Sequence, residues 1–230
     1  MHSIRFINDF SWEGQLFAKG RGKGATELFL RQGDLDGACA VYSLMMLLMI
    51  HKKVNRKELE NREAAQRITD GGYNSYMRLQ DHILGELPGL YQKGYFFIDL
   101  AAKLHQCFKK EATASVYKAY NKRANSKAKQ ELGKIITETI NAGYPVEIGF
   151  SGKGYGHAVV AIGYTNYNTN LRLFCLDPAF GLGKTAFWNS IIDVDYFSPG
   201  KAIYSDKYYT PDGKLDVITV DEILTIDEDK

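Results

Sequence analysis

Three residues of this chain have types and neighbours that suit nucleophilic chemistry: Cys39, His157 and Asp177. Cys39 follows Gly37 and Ala38 and opens the apolar run that ends at Ile50. A helix beginning there would aim unpaired N–H groups and its positive dipole end at the thiol, which favours the thiolate. By itself this decides little, because a free cysteine is more often a small buried hydrophobe. His157 stands where a loop carrying Gly152, Gly154 and Gly156 meets the run Ala158–Tyr164, so its ring would project from a rigid strand end with an open face. The plainer alternative is a hydrogen-bonded core histidine. Asp177 closes the next strand just before Pro178, where a hairpin would set it beside the ring. Asp-Pro is also a common turn initiator. Together the three meet the requirements of a Cys-His-acid site, in which a base activates the thiol and an acid orients the base. Gln32, upstream of the cysteine, has a side-chain amide that could join the Cys39 N–H in holding an oxyanion.

The elements that must carry these groups fall into two kinds. Ala40–Met49 is apolar nearly all round, which predicts a central buried helix, while 56–68 and 125–142 carry charge on one side and Leu or Ile at helical spacing. Phe96–Phe108 predicts a further helix, and Gly143, with Pro145 just beyond it, stops the helix that ends near Asn141. Beyond that point Val146–Phe150, His157–Tyr164 and Leu171–Leu176 predict strands, with Thr165–Asn170 as a hairpin turn. Thr210-Pro211-Asp212-Gly213 predicts a second hairpin between 202–209 and 214–218. The expected class is therefore α+β, with a helical N-terminal half, an antiparallel sheet in the C-terminal half and a cleft between them. One domain is expected, residues 1–142 mainly helical and 143–230 mainly antiparallel β.

Composition sets the outer limits. The chain has 230 residues, 45% apolar and 24% charged, as globular domains do. Its 29 basic and 27 acidic residues leave a net charge of +2, which offers neither nucleic acid nor an anionic membrane a reason to bind. The odd, scattered cysteines exclude a disulfide framework and suit a reducing compartment, with Cys107 and Cys175 as packing residues. Residues 1–10 lack a signal-peptide core, and the run 38–50 is too short to span a bilayer. Gly181-Leu182-Gly183-Lys184-Thr185 has Pro178 where a phosphate loop needs glycine, and no His/Cys pair has zinc spacing, so no metal or cofactor is expected.

Gln32, Gly37–Ser43, Gly156–Tyr164 and Leu176–Ala179 resemble the catalytic segments of papain-like cysteine peptidases. They are closer to the bacterial branch of bacteriocin-leader-processing (double-glycine) peptidases, in which the third member is Asp followed by Pro. The resemblance covers roughly residues 30 to 190. It implies a papain-like fold and hydrolysis of a peptide or isopeptide bond through an acyl-enzyme, with Gly37, Ala38, Tyr155 and Gly156 contacting substrate. The chain departs from papain in having Asp36 and Ala40 beside the nucleophile, and one extra residue between Gln32 and Cys39. Acyl transfer, deamidation of a protein side chain, and a catalytically silent binding module are the rival readings. A protein or peptide is the expected partner, with no nucleic acid and no membrane. No inhibitory prosegment is expected before Cys39, so control would fall to narrow specificity or to an activating or inhibitory protein. The expected location is the cytoplasm, or delivery as an effector or toxin without a cleavable signal peptide.

Overall fold

A computed structural model describes residues 3–8, 10–13, 15–19, 25–33, 37–60, 74–84, 94–119, 126–167, 170–195 and 205–227. Four short strands come first: β1 (Ile4–Phe6), β2 (Phe10–Trp12), β3 (Leu16–Lys19) and β4 (Ala25–Glu27). They are followed by α1 (Cys39–Ile50), α2 (Arg56–Glu60), α3 (Ser75–Leu84), α4 (Phe97–Phe108), β5 (Thr113–Lys118) and α5 (Ser126–Asn141). The remainder is β6 (Val146–Gly152), β7 (Tyr155–Tyr167), β8 (Asn170–Leu176), β9 (Ser190–Asp195), β10 (Asp206–Tyr209) and β11 (Leu215–Asp227).

The large sheet runs β7-β6-β11-β10-β9-β8 and closes through β7–β8 pairing into a six-stranded antiparallel barrel. β1 extends it along β7 and β5 along β11, while β2, β3 and β4 form a separate small sheet. β6 is buried along Val146–Phe150 without alternation, as a strand covered on both faces must be. α1 supplies the outer cover by packing on β7 and β6, and Ser43 Oγ donates to the Ala158 carbonyl of β7 (3.4 Å). Its all-round apolar character matches this position, since Ser43 to Met49 are all buried. Cys107 and Cys175 are fully buried in the core.

These observations overturn the α+β expectation of a helical first half facing a C-terminal sheet. Among the described residues the chain is mostly β, with five helices, four strands before Cys39, a fifth after α4 and a barrel rather than an open sheet. The early strands span only three or four residues, too few for alternation to register. β1 is fixed by packing instead: Phe6 stacks among Phe174, Phe187 and Trp188 at centroid distances of 5.2, 4.7 and 5.5 Å. The absent side chain of Gly163 admits it, because a Cβ there would lie 2.2 Å from the Phe6 ring. β9 was hidden by its acidic residues, one of which, Asp193, pairs across the ladder with Arg172 (2.7 and 2.8 Å). Thr165 and Asn166, expected in a turn, belong to β7. The expected helical residues 61–68 and strand residues 202–204 lie outside the described residues.

No described helix is long and apolar enough to cross a membrane. A buried ion pair ties α5 to the barrel: Lys129 Nζ reaches both oxygens of Asp206 (2.8 and 2.9 Å), and Asp206 also accepts the N–H groups of Asp195 and Val220. Removing one partner leaves an uncompensated charge in the interior. Lys129→Met should therefore lower unfolding free energy by about 3–5 kcal/mol in urea denaturation.

Candidate active site

Cys39 is the first residue of α1, and Ala38 before it makes no side-chain capping bond. The first turn of α1 carries no acidic residue, and its opening N–H groups suit an anion. His157 projects from β7 directly opposite Phe150 of β6, whose ring meets the imidazole edge-on at 5.4 Å. Cys39 and His157 line one cavity of about 710 Å³. Gln32, Gly37, Tyr155 and Gly156 line it too. Ala38 lies buried behind the wall, its carbonyl accepting the Tyr42 N–H (3.0 Å), so of the residues expected to contact substrate it alone is absent from the lining.

Asp177 stands behind the histidine and is fully buried. Its Oδ1 is 2.8 Å from His157 Nε2 and accepts the Ala179 N–H at 2.8 Å, while its Oδ2 accepts the Tyr208 hydroxyl. Asn189 then grips the backbone: its Oδ1 accepts the Asp177 N–H (2.7 Å) and its Nδ2 donates to the Asp177 carbonyl (2.9 Å). The Gln32 N–H donates to the Pro178 carbonyl (2.9 Å), which docks the Gln32 loop against the same turn. The structure thus brings together Gln32, Cys39, His157 and Asp177, the four residues for which the sequence suggests catalytic roles. It adds Tyr208 and Asn189, which sequence reasoning missed. Neither has a local signal, since each reaches Asp177 only through strand pairing.

Charge follows from this packing. Burial disfavours the imidazolium of His157, but hydrogen bonds to Asp177 and Cys39, and their negative charges, outweigh it and raise the ring from 6.5 to about 10. The protonated ring gives a Cys39 thiolate a cation to pair with at neutral pH. Tyr208 is held neutral by burial and by Asp177, which raise it far above the usual phenol value. Glu147, fully buried on β6, has no hydrogen-bond partner for either oxygen among the described residues. Burial first, then the charges of Cys39 and Glu222, push its carboxyl well above the ordinary range, which favours the neutral acid. The described residues contain no cluster of His, Cys, Asp or Glu able to hold a metal.

A family model described as the Peptidase_C39 like family matches residues 26–191, most of the chain. The chain belongs to the Peptidase_C39 like family. No curated protein matches the chain. Among solved structures, UfSP from C. elegans is similar over 98% of this chain at 11% identity and a TM-score of 0.44. The chain spans 34% of the length of that UfSP chain. The matched segment contains Gln32, Cys39, His157 and Asp177, and supplies the cavity lining apart from Asp221 and Glu222.

In this family member the raised His157 value carries a pH dependence of definite sign. A raised folded-state pKa adds stability that is complete below about 6.5 and is lost as pH rises through about 10. NMR titration should place the His157 transition near pH 10, and Asp177→Asn should move it down toward 6.5 by removing the charge that holds the proton. An unchanged midpoint in that variant would contradict the assignment of Asp177 as the cause.

Proposed function

We propose that this chain hydrolyses a peptide or isopeptide bond of a protein or peptide substrate through Cys39, His157 and Asp177. The observation that carries the reading is the cavity that Cys39 and His157 line together while a buried carboxylate holds the ring from behind. The thiolate of Cys39 attacks the carbonyl carbon, and the oxyanion that forms takes hydrogen bonds from the Cys39 N–H and the Gln32 amide. Collapse of this intermediate breaks the C–N bond, and His157 gives its proton to the leaving amine. Water then attacks the thioester, His157 accepts its proton, and the acid and free thiolate return with the ring protonated. Asp177 stays ionised and keeps the imidazole in one orientation throughout.

The reading is tested with a peptide library made from digested proteome, followed by mass spectrometry. Wild-type protein should yield fragment pairs whose masses sum to the parent plus water. Cys39→Ala should lower that turnover by roughly 10⁴-fold or more, with the fold preserved by circular dichroism. Gln32→Ala should cost roughly 10²–10³-fold, the worth of one oxyanion donor. Retained cleavage in Cys39→Ala would sink the mechanism, and products showing only amide-to-acid conversion or new adducts would replace hydrolysis by deamidation or transfer.

A further inference from the structure

Tyr155 precedes His157 by two residues and is held in an unusual way. It pairs across the β6–β7 hairpin with Gly152, and its ring lies over that glycine: a Cβ at Gly152 would stand 2.2 Å from the ring carbon Cε1 and 2.4 Å from Cζ. At the far end the hydroxyl donates to Asp216 Oδ2 on β11 (3.0 Å). Phe150 meets the same ring edge-on, with centroids 6.5 Å apart. Yet Tyr155 remains 39% exposed and lines the cavity that holds Cys39 and His157.

A tyrosine that served the core would bury its ring, and one that served only solubility would not need to be held at two points. An exposed hydrogen bond such as Tyr155–Asp216 adds little stability, so its effect is on where the ring sits. The phenol is pushed up to about 12 by burial, then by the hydrogen bond and charge of Asp216, so the wall it makes carries no charge. Phe96, 70% exposed, adds apolar surface to the lining of the same cavity.

We infer that Tyr155 is a specificity residue, a preset aromatic wall on which an apolar substrate side chain next to the scissile bond packs, with Gly152 and Asp216 as its positioning residues. This rests on Cys39 and His157 performing the chemistry. A ring face favours aromatic or aliphatic groups through offset stacking and burial, and a ring already in place loses no rotamer freedom on binding.

The test compares alkylation of Cys39 by iodoacetamide and by N-benzyl-2-iodoacetamide, read by intact-protein mass spectrometry. The ratio of the two rates, divided by the same ratio for glutathione, reports recognition of the benzyl ring and cancels changes in thiol reactivity. Wild-type protein should prefer the benzyl reagent by roughly tenfold, the worth of one modest apolar contact. Tyr155→Ala should bring the normalised ratio to one. Asp216→Ala should lower it, but should have no further effect in a Tyr155→Phe background, where the hydroxyl it acts through is gone. Gly152→Ala should lower it as well, and exposed Asp216 keeps positioning testable even if that variant unfolds the hairpin. A ratio of one in wild type, an undiminished ratio in Tyr155→Ala, or an equal Asp216→Ala effect in both backgrounds would overturn the inference. His157→Ala separates the two levels: if iodoacetamide labelling of Cys39 ignores it, the catalytic reading is what fails, whereas His157-dependent labelling without benzyl preference removes the Tyr155 wall alone.

Discussion

Asp177 has no exposed surface, and a buried carboxylate persists as an anion only where donors replace the water it has lost. Here the donors come from separate parts of the chain: the His157 ring from β7, the Tyr208 hydroxyl from β10 and the Ala179 N–H from the turn after β8. No single hairpin could assemble them. β7 and β8 are neighbours, but β10 reaches Asp177 only because the strands β11, β10 and β9 close the sheet into a barrel. Barrel closure is therefore a condition of the site's charge as well as of the core. The aromatic contacts say the same, since Phe150 lies 4.9 Å from Tyr208 and 5.4 Å from His157 by ring centroid, packing the anchor and the base against one residue.

This dependence explains why the residues that meet around the cavity left marks in the sequence while barrel closure did not. Cys39, His157 and Asp177 each sit at a junction that leaves a local mark: the start of an apolar run, a glycine-rich loop meeting a strand, and a strand ending in Pro. Such marks survive without knowledge of what pairs with what. β1 leaves none, because its three residues are ordered by Phe6 packing over Gly163 and its ring neighbours, contacts separated by most of the chain. Tyr208 and Asn189 were invisible for the same reason. The long helices were legible through their period, as α4 over Phe97–Phe108 and α5 over Ser126–Asn141. The error lay in treating the interval before Cys39 as helical by default, and in reading paired strands as an open sheet when nothing local records closure.

Two fully buried carboxyls near the nucleophile are treated differently by the structure, and the contrast bears on how the site keeps its charge in balance. Asp177 is surrounded by donors and faces a cation, whereas Glu147 has no partner among the described residues and feels the negative charges of Cys39 and Glu222. The His157 ring faces Asp177 directly, whereas no such cation faces Glu147 among the described residues. An uncompensated anion at Glu147 would be far costlier than its neutral acid, because the interior offers neither a donor nor a counter-ion to offset it. The same burial that makes Asp177 dependent on its donors thus pushes the Glu147 carboxyl up, toward its neutral acid. The contrast follows from which carboxyl the barrel supplies with donors, and α1 begins at Cys39 itself, so its positive dipole end lies at the sulfur.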